Sequence, residues 1–288
     1  MITTLIWMVF LALALWNAAL LIRDYRAHRN ELEPNSWAKT GFIGFVGNFF
    51  DALGIGSFAI ETMLFKFMKQ SEDRLIPGTL NVANAIPTIA QGVLFIKVIE
   101  VEPVTLVAML VAAGAGALLG AGVVARMSER KIRLVMGAAL LITSFFMIAA
   151  KMNWIEGGGN AIGLEGYQLA IGVAANFVLG ALMTAGIGLY APCMALVFAL
   201  GMSPAVAFPI MMGSCATLMP LASYRFIKEG AFNRRASYAI SITGVLGVLI
   251  AVFIVKSLPL DVLRWLVIGV IIYTASLMLN AGLKKSTP

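Results

Sequence analysis

The chain has 288 residues, of which 60% are hydrophobic and only 12% are charged, and its mean hydropathy is +0.93. Soluble domains keep about a quarter of their residues charged, so these values exclude an ordinary soluble domain and indicate a protein surrounded by lipid. The 21 Lys and Arg residues give a formal net charge of +7. They lie in short loops between apolar segments, which favours a role in setting membrane topology over a nucleic-acid partner.

Nine apolar segments follow one another along the chain, and a membrane-spanning helix needs about 20 apolar residues. Segment 2–22 has no basic residue before it and is followed by basic residues from Arg23 onward. That order predicts a retained first span with an external N-terminus rather than a secretory signal peptide. Segments 38–69 and 168–200 are too long for one simple span and too short for two. In chain order the segments are 2–22, 38–69, 75–99, 104–125, 132–150, 168–200, 204–227, 236–256 and 262–283.

The two long segments are interrupted by the same tripeptide, Gly54-Ile55-Gly56 and Gly186-Ile187-Gly188, at a separation of 132 residues. The surrounding positions match at the same separation without a gap, and the Gly-x-Gly stays in register with a later proline. We therefore predict an internal duplication, with a first membrane repeat at 1–150, an external linker at 151–167 and a second membrane repeat at 168–288. The identical pairs are Phe45/Phe177, Val46/Val178, Ala59/Ala191, Leu64/Leu196, Ser71/Ser203 and Pro77/Pro209, and Phe58 aligns with Tyr190.

The charges in the loops predict the geometry of this duplication. Lys and Arg are retained on the cytoplasmic side of a membrane, and both ends of segment 38–69 are basic. If each long segment enters and leaves on one face, three crossings separate them and the second repeat is inverted relative to the first. We therefore predict an all-α polytopic membrane protein, with about seven full transmembrane helices and two re-entrant hairpins in an inverted repeat. The loops assigned to the cytoplasm contain Lys39, Lys66, Lys69, Arg74, Arg126, Arg130, Lys131, Arg133, Arg225, Lys228, Arg234, Arg235, Lys284 and Lys285, and the external loops contain Glu100, Glu102, Glu156 and Glu165.

A helix that breaks inside a membrane predicts a binding site. Glycine accepts positive φ, so Gly-x-Gly lets the chain reverse, and irregular backbone at membrane depth is tolerated only where it is buried in protein or lines a wet cavity. The second half-helix of each hairpin begins at Ser57 or Leu189. Its unpaired N–H groups and partial positive charge favour an anion. The alternative is that these glycines only allow close helix packing.

Polar residues near the breaks are the candidate site residues. A carboxylate inside a membrane is costly, which makes Asp51 and Glu61 candidates for proton coupling, although each could instead cap a helix or pair with a lysine. Asn81 and Asn84 start the span after the first hairpin, where interhelical hydrogen bonding is the competing interpretation. The predicted substrate-binding set is Asn48, Asp51, Gly54, Gly56, Ser57, Asn81, Asn84, Gly186, Gly188, Tyr190, Ser214 and Thr217.

Three stretches carry a family resemblance: Gly41-Phe42-x-Gly44, the run from Asp51 to Ala59, and the run from Asp73 to Asn81. With these the sequence resembles the TauE/SafE sulfite exporter family, also called the toluene sulfonate uptake permeases. Residues 186–192 look like the C-terminal half of that family, whose third glycine at each break is replaced here by Ser57 and Leu189. The resemblance implies a duplicated permease for sulfur-containing anions such as sulfite, thiosulfate or sulfonates.

We therefore expect a secondary transporter of a small sulfur-containing anion in a bacterial inner membrane, with the C-terminus in the cytoplasm. The alternatives are a passive anion channel on the same hairpins and a non-transporting membrane assembly partner. An enzyme is not expected, because the sequence has no nucleotide-binding loop, no zinc-ligand spacing and no nucleophile–base pair. We expect no cofactor and no metal. The expected partners are the substrate anion and the lipid bilayer, without nucleic acid, and the oligomeric state is left open.

Overall fold

The computed structural model describes residues 2–96, 100–152, 154, 159–253 and 260–283. Within these ranges the chain forms eleven α-helices and one short 3-10 turn, with no β-strand, so the predicted all-α fold is confirmed. Glu156, Lys284 and Lys285 lie outside the described residues. The helices are α1 (Ile2–His28), α2 (Trp37–Ala52), α3 (Ser57–Met68), α4 (Ile76–Ile96), α5 (Pro103–Val124), α6 (Glu129–Lys151), α7 (Gly166–Met183), α8 (Tyr190–Ala199), α9 (Pro204–Lys228), α10 (Arg234–Phe253) and α11 (Leu260–Leu283).

Six of the described helices are long and apolar enough to cross a membrane: α1, α5, α6, α7, α9 and α10. Large apolar side chains cover the outside of the helix bundle, whereas many polar side chains lie inside it. This distribution is expected when the solvent is hydrocarbon, and the chain is a multi-pass membrane protein. The exact number of full crossings stays a prediction. Exposed apolar residues include Leu11, Leu15, Val111, Leu119, Phe145, Ile242 and Phe253.

The first long segment folds into a hairpin of α2 and α3. Its ends are adjacent, because the Asn35 side-chain amide donates to the Gln70 backbone carbonyl at 2.9 Å and the Ser36 N–H donates to the Gln70 side chain at 2.9 Å. Inside the hairpin, Asn48 of α2 hydrogen-bonds Glu61 of α3 at 3.2 Å. Since these residues lie at similar distances before and after the break, α3 runs back along α2.

The second long segment also has adjacent ends. The Ser203 N–H donates to the Ala161 carbonyl at 2.8 Å, and the Glu102 N–H donates to the Ile162 carbonyl at 2.8 Å. Glu102 also caps α5, and the backbone N–H of Thr105 holds the pKa of the Glu102 carboxyl below its ordinary value. The ends of this hairpin, 161–203, therefore lie beside the start of α5.

The two hairpins open at opposite ends of the helix bundle. Helix α9 starts next to the ends of the second hairpin, and after its 25 residues the chain reaches Asn233, which accepts a hydrogen bond from Asn35 beside the ends of the first hairpin. At 1.5 Å per residue, α9 spans about 37 Å.

Helix packing also recurs between the two halves. Gly247 of α10 lies against the Phe45 carbonyl of α2, and Gly116 of α5 lies against the Phe177 carbonyl of α7. Small residues let membrane helices approach this closely. Phe45 and Phe177 are one of the pairs aligned by the predicted duplication. The two-repeat division itself stays a proposal that this recurrence supports.

Candidate functional site

Both helix breaks lie in the protein interior. The first break, residues 53–56, separates α2 from α3, and the second, residues 184–189, separates α7 from α8. Gly54, Gly56 and Gly186 have φ angles of 80°, 95° and 101°. These values lie in the left-handed region that favours glycine, so glycine is what allows the chain to turn at both breaks.

Asp51 ties the two breaks together. One carboxylate oxygen accepts the backbone N–H of Ser57 at 2.6 Å. The other accepts the Tyr190 hydroxyl at 2.9 Å and the Gln91 side-chain amide at 2.8 Å, and the Tyr190 hydroxyl also lies 3.0 Å from the Gln91 carbonyl oxygen. Asp51 is 3% exposed. A single carboxylate thus links α2, α3, α4 and the start of α8.

The two half-helix N-termini consequently differ. The N–H of Ser57, the first residue of α3, already has the Asp51 carboxylate as its acceptor. At α8, which begins at Tyr190, the preceding residue Leu189 makes no side-chain capping hydrogen bond. Unpaired N–H groups and the helix dipole make an uncapped terminus attractive to an anion. Of the two half-helix N-termini, α8 is therefore the candidate for a ligand, with the Tyr190 and Ala191 N–H groups as donors because Pro192 has none.

A cavity of about 230 Å³ lies between the breaks. It extends from the first break along α8 and along the Lys151 end of α6. One water molecule occupies about 10–15 Å³ on the same measure, so the cavity has room for a small organic molecule. Its polar lining comes from Asp51, Ser57, Thr143, Lys151 and Tyr190, and its apolar lining includes Ile55, Phe58, Met147, Met183, Leu189, Met194, Phe198 and Met219.

Helix α6 contributes one continuous face to this cavity. Thr143, Met147 and Lys151 line it at intervals of four residues, the spacing that places side chains on one side of a helix. Lys151 is half-buried and lines the cavity at the end of α6. An ammonium group and an uncapped helix N-terminus both stabilise negative charge.

The opposite end of the bundle is held by ion pairs. Asp73, which is 5% exposed, bonds Lys66 at the end of α3 at 2.6 Å and Arg133 near the start of α6 at 2.7 Å. Arg133 also pairs with Glu129 at 2.7 Å. These bridges join the first hairpin to α6 on the side away from the cavity.

The structure separates the sequence-predicted site residues into two groups. The first group lines the cavity: Asp51, Gly54, Gly56, Ser57, Gly188 and Tyr190. The second group, described next, lies outside the lining. Gly188 lies beside Thr143 and does not adopt positive φ.

Asn48, Asn84 and Glu61 form a hydrogen-bonded cluster among α2, α3 and α4. The Asn48 amide nitrogen lies 2.6 Å from the Asn84 carbonyl oxygen, and the Asn84 amide donates to Glu61 at 2.8 Å. All three residues are 0% exposed.

The other predicted residues make local contacts. The Asn81 amide donates to the Pro77 carbonyl at 2.9 Å, and the Thr217 hydroxyl donates to the Gly213 carbonyl at 3.0 Å. Ser214 accepts a hydrogen bond from Asn176 at 3.0 Å, and Gly186 packs against Met136.

Three polar residues at the site were not in the predicted set. Gln91 lies seven residues after Asn84 on α4, so the same helical spacing could have identified it. Thr143 and Lys151 belong to a helix whose approach to the breaks is not visible in a single sequence. Lysines that end an apolar segment are usually topology signals, so the position of Lys151 in the sequence does not indicate a site.

The sequence of this chain matches a known protein family. The family profile described as Sulfite exporter TauE/SafE matches residues 1–147 and 168–288, which is nearly the whole chain. The chain belongs to the TauE/SafE family. No curated protein and no solved structure matches the chain.

Membership of the TauE/SafE family confirms the resemblance predicted from the sequence. TauE/SafE proteins are membrane transporters rather than enzymes, and the family implies transport of a sulfur-containing anion. In this TauE/SafE chain, the described interior contains both helix breaks, the Asp51 bridge between them and the cavity that they border.

Proposed function

We propose that this protein is a secondary transporter of a small sulfur-containing anion such as sulfite, thiosulfate or an organosulfonate. The observation that carries the proposal is the cavity between the two helix breaks, which the start of α8 and Lys151 both border. An anion placed there accepts N–H donors from α8, as anions do at other helix N-termini. Thr143 and Tyr190 add polar side chains to the lining, and their hydroxyl groups donate to Ala139 and to the Asp51–Gln91 pair.

Within this class, the cavity favours an organosulfonate over an inorganic oxyanion. The cavity volume of about 230 Å³ exceeds the need of an ion with four or five heavy atoms. Methionine and phenylalanine side chains form much of its wall, and such walls bind the apolar body of a ligand while a few polar groups orient its charge. We expect the sulfonate to point toward α8 and the carbon chain to lie against Met147, Met194 and Phe198.

The proposed orientation places the N-terminus outside and the C-terminus in the cytoplasm of a bacterial inner membrane. Two basic clusters support it: Arg126 to Arg133 between α5 and α6, and Arg225 to Arg235 between α9 and α10. In this orientation the cavity belongs to the external half of the protein, and the Asp73 ion pairs lie on the cytoplasmic side. A binding site beside two helix breaks fits alternating access better than an open pore.

Ligand-induced stabilisation of the purified protein tests the site. Ethanesulfonate, thiosulfate, sulfite and sulfate are each added in a thermal unfolding series. We expect ethanesulfonate to stabilise the protein most, because its carbon chain can lie against the apolar wall of the cavity. A ligand at 100 times its Kd adds about 2.7 kcal/mol to the free energy of unfolding. If sulfate stabilises the protein as strongly as ethanesulfonate does, the proposed preference for an organosulfonate is contradicted.

A matched pair of variants locates the effect in the cavity. Ala195→Phe fills part of the cavity and should remove the stabilisation by ethanesulfonate. Ala199→Phe, one turn further along α8 and exposed, should preserve it. If both variants lose the stabilisation equally, ethanesulfonate binds outside the cavity.

A further inference from the structure

Polar side chains continue below the cavity, on the side of the Asp73 ion pairs. Helix α2 carries Asp51 and Asn48, and α4 carries Gln91 and Asn84. Spacings of three and seven residues keep each pair on one helix face. All four side chains are at most 3% exposed, and Glu61 of α3 lies at the level of Asn48 and Asn84. The first hairpin and α4 thus enclose two buried carboxylates at successive depths.

The two carboxylates have different surroundings. Asp51 accepts hydrogen bonds from Ser57, Gln91 and Tyr190, so both of its oxygens are engaged and it positions the two breaks. Glu61 is 0% exposed, and among the described residues its hydrogen-bond donors are two side-chain amides, those of Asn48 and Asn84. Among the described residues, no lysine, arginine or histidine forms a salt bridge with Glu61. A buried carboxylate without a counter-ion strongly favours binding a proton.

The packing leaves room for Glu61. A side chain at Gly47 of α2 would overlap the Glu61 carboxyl group, and a side chain at Gly244 of α10 would lie 2.7 Å from the Asn48 amide nitrogen. Protein interiors are otherwise close-packed. Glycine at both positions therefore preserves a pocket for the carboxyl group and its amide partners.

The groups that face Glu61 define what it can bind. From α2 the neighbours are Asn48 and the Asp51 carboxylate, which repels a second negative charge, and from α4 the neighbour is Asn84. Helix α11 also packs against α3, and its described titratable side chain, Tyr273, is 65% exposed. Both groups bonded to Glu61 are N–H donors rather than oxygen ligands, so neither can coordinate a sodium ion there.

A partner for that proton lies within the same cluster. The carbonyl oxygen of the Asn48 side chain is buried and has no hydrogen-bond donor. It shares an amide group with the nitrogen that lies 3.2 Å from Glu61. Ionised Glu61 is an acceptor only, whereas protonated Glu61 is a donor. A reoriented Asn48 amide would therefore satisfy its orphaned oxygen with the Glu61 proton, in exchange for the hydrogen bonds that its nitrogen now donates to Gly44 and Asn84.

We propose that Glu61 is the proton-binding residue of this protein and that it couples proton movement to anion transport. This inference rests on the proposed transport function. An anion in the cavity adds negative charge above Asp51, and protonation of Glu61 removes negative charge beneath it, so the two events favour each other. The second half of the chain has Met183 and Cys193 at the positions aligned with Asp51 and Glu61. The aligned positions of the second half therefore carry no second pair of carboxylates.

The test uses protein reconstituted in liposomes with an internal pH dye and ethanesulfonate or thiosulfate as the probe. Wild type should take up protons together with the anion in sodium-free buffer, and accumulation should rise as external pH falls. Glu61→Gln keeps the shape of the side chain and removes the charge. It should still be stabilised by the probe and still exchange it, but lose at least tenfold in accumulation driven by a pH gradient.

Glu229→Gln is the matched control, because it makes the same change at the cytoplasmic ion pair with Arg126. It should behave like wild type. Glu61→Asp keeps a titratable group and should retain part of the proton uptake even where Glu61→Gln folds poorly.

Several outcomes overturn the proposal: proton uptake that persists in Glu61→Gln, anion uptake without proton uptake in wild type, or accumulation that requires sodium. If wild type neither binds nor exchanges any probe, it is the proposed function that fails. If wild type binds and exchanges a probe but moves no protons, only the inference of proton coupling is contradicted.

Discussion

Replacing Gly56 with leucine is expected to abolish transport while the protein still folds and inserts. Gly56 lines the cavity, and no heavy atom lies within 4 Å of the position that a side chain would take. The leucine would therefore project into the site rather than into packed protein. Its φ of 95° adds backbone strain of about 1–3 kcal/mol for a non-glycine residue. We expect transport in liposomes, normalised to reconstituted protein, to fall at least tenfold.

Gly122→Leu is the control for that substitution. Gly122 also has no heavy atom within 4 Å of the position that a Cβ atom would occupy, but it lies in the regular helix α5 and outside the cavity lining. Its leucine variant should transport normally. Equal damage at both positions, or full activity of Gly56→Leu, would show that open space at the first break is not used by a ligand.

Removal of the Asp51 side chain should have the largest effect on stability. In Asp51→Ala, the Ser57 N–H, the Gln91 amide and the Tyr190 hydroxyl all lose an acceptor. Each buried donor left unpaired costs about 1–3 kcal/mol. We expect Asp51→Ala to lower the unfolding temperature in detergent markedly and to reduce the yield of folded protein.

Two milder variants test the same explanation. Asp51→Asn keeps one acceptor oxygen and should lose less stability than Asp51→Ala. Tyr190→Phe removes a single donor, and interhelical hydrogen bonds in membrane proteins contribute about 1 kcal/mol. Unfolding temperatures that fall in the order wild type, Tyr190→Phe, Asp51→Asn, Asp51→Ala support the bridging role of Asp51. An Asp51→Ala protein as stable as wild type would contradict it.

The helix breaks could be predicted from the sequence because their signal is local. Gly54 and Gly56 interrupt an apolar segment, and Gly186 interrupts its counterpart. The structure places the breaks at 53–56 and 184–189. The adjacency of each hairpin's ends depends on contacts such as Asn35 with Gln70, which are not visible in the apolar pattern.

The candidate site was less accessible to sequence reasoning, because its residues come from separate helices. The breaks suggested two equivalent anion sites, yet the Asp51 carboxylate occupies the N-terminus of α3. A carboxylate shortly before a helix start is a recognisable capping signal. Nothing in the sequence places Tyr190 of the second hairpin on Asp51 of the first, a contact across 139 residues.

Counterflow in liposomes tests the central claim most directly. Vesicles loaded with unlabelled ethanesulfonate are diluted into a trace of labelled ethanesulfonate, with no ion gradient. A carrier with one site that alternates between faces should accumulate label transiently, saturate with increasing external probe, and lose the overshoot in Ala195→Phe but not in Ala199→Phe. Influx that never saturates and shows no overshoot would indicate an anion channel. Vesicles that are as impermeable to every sulfur anion as protein-free controls would indicate an assembly partner. Either result contradicts the transporter assignment.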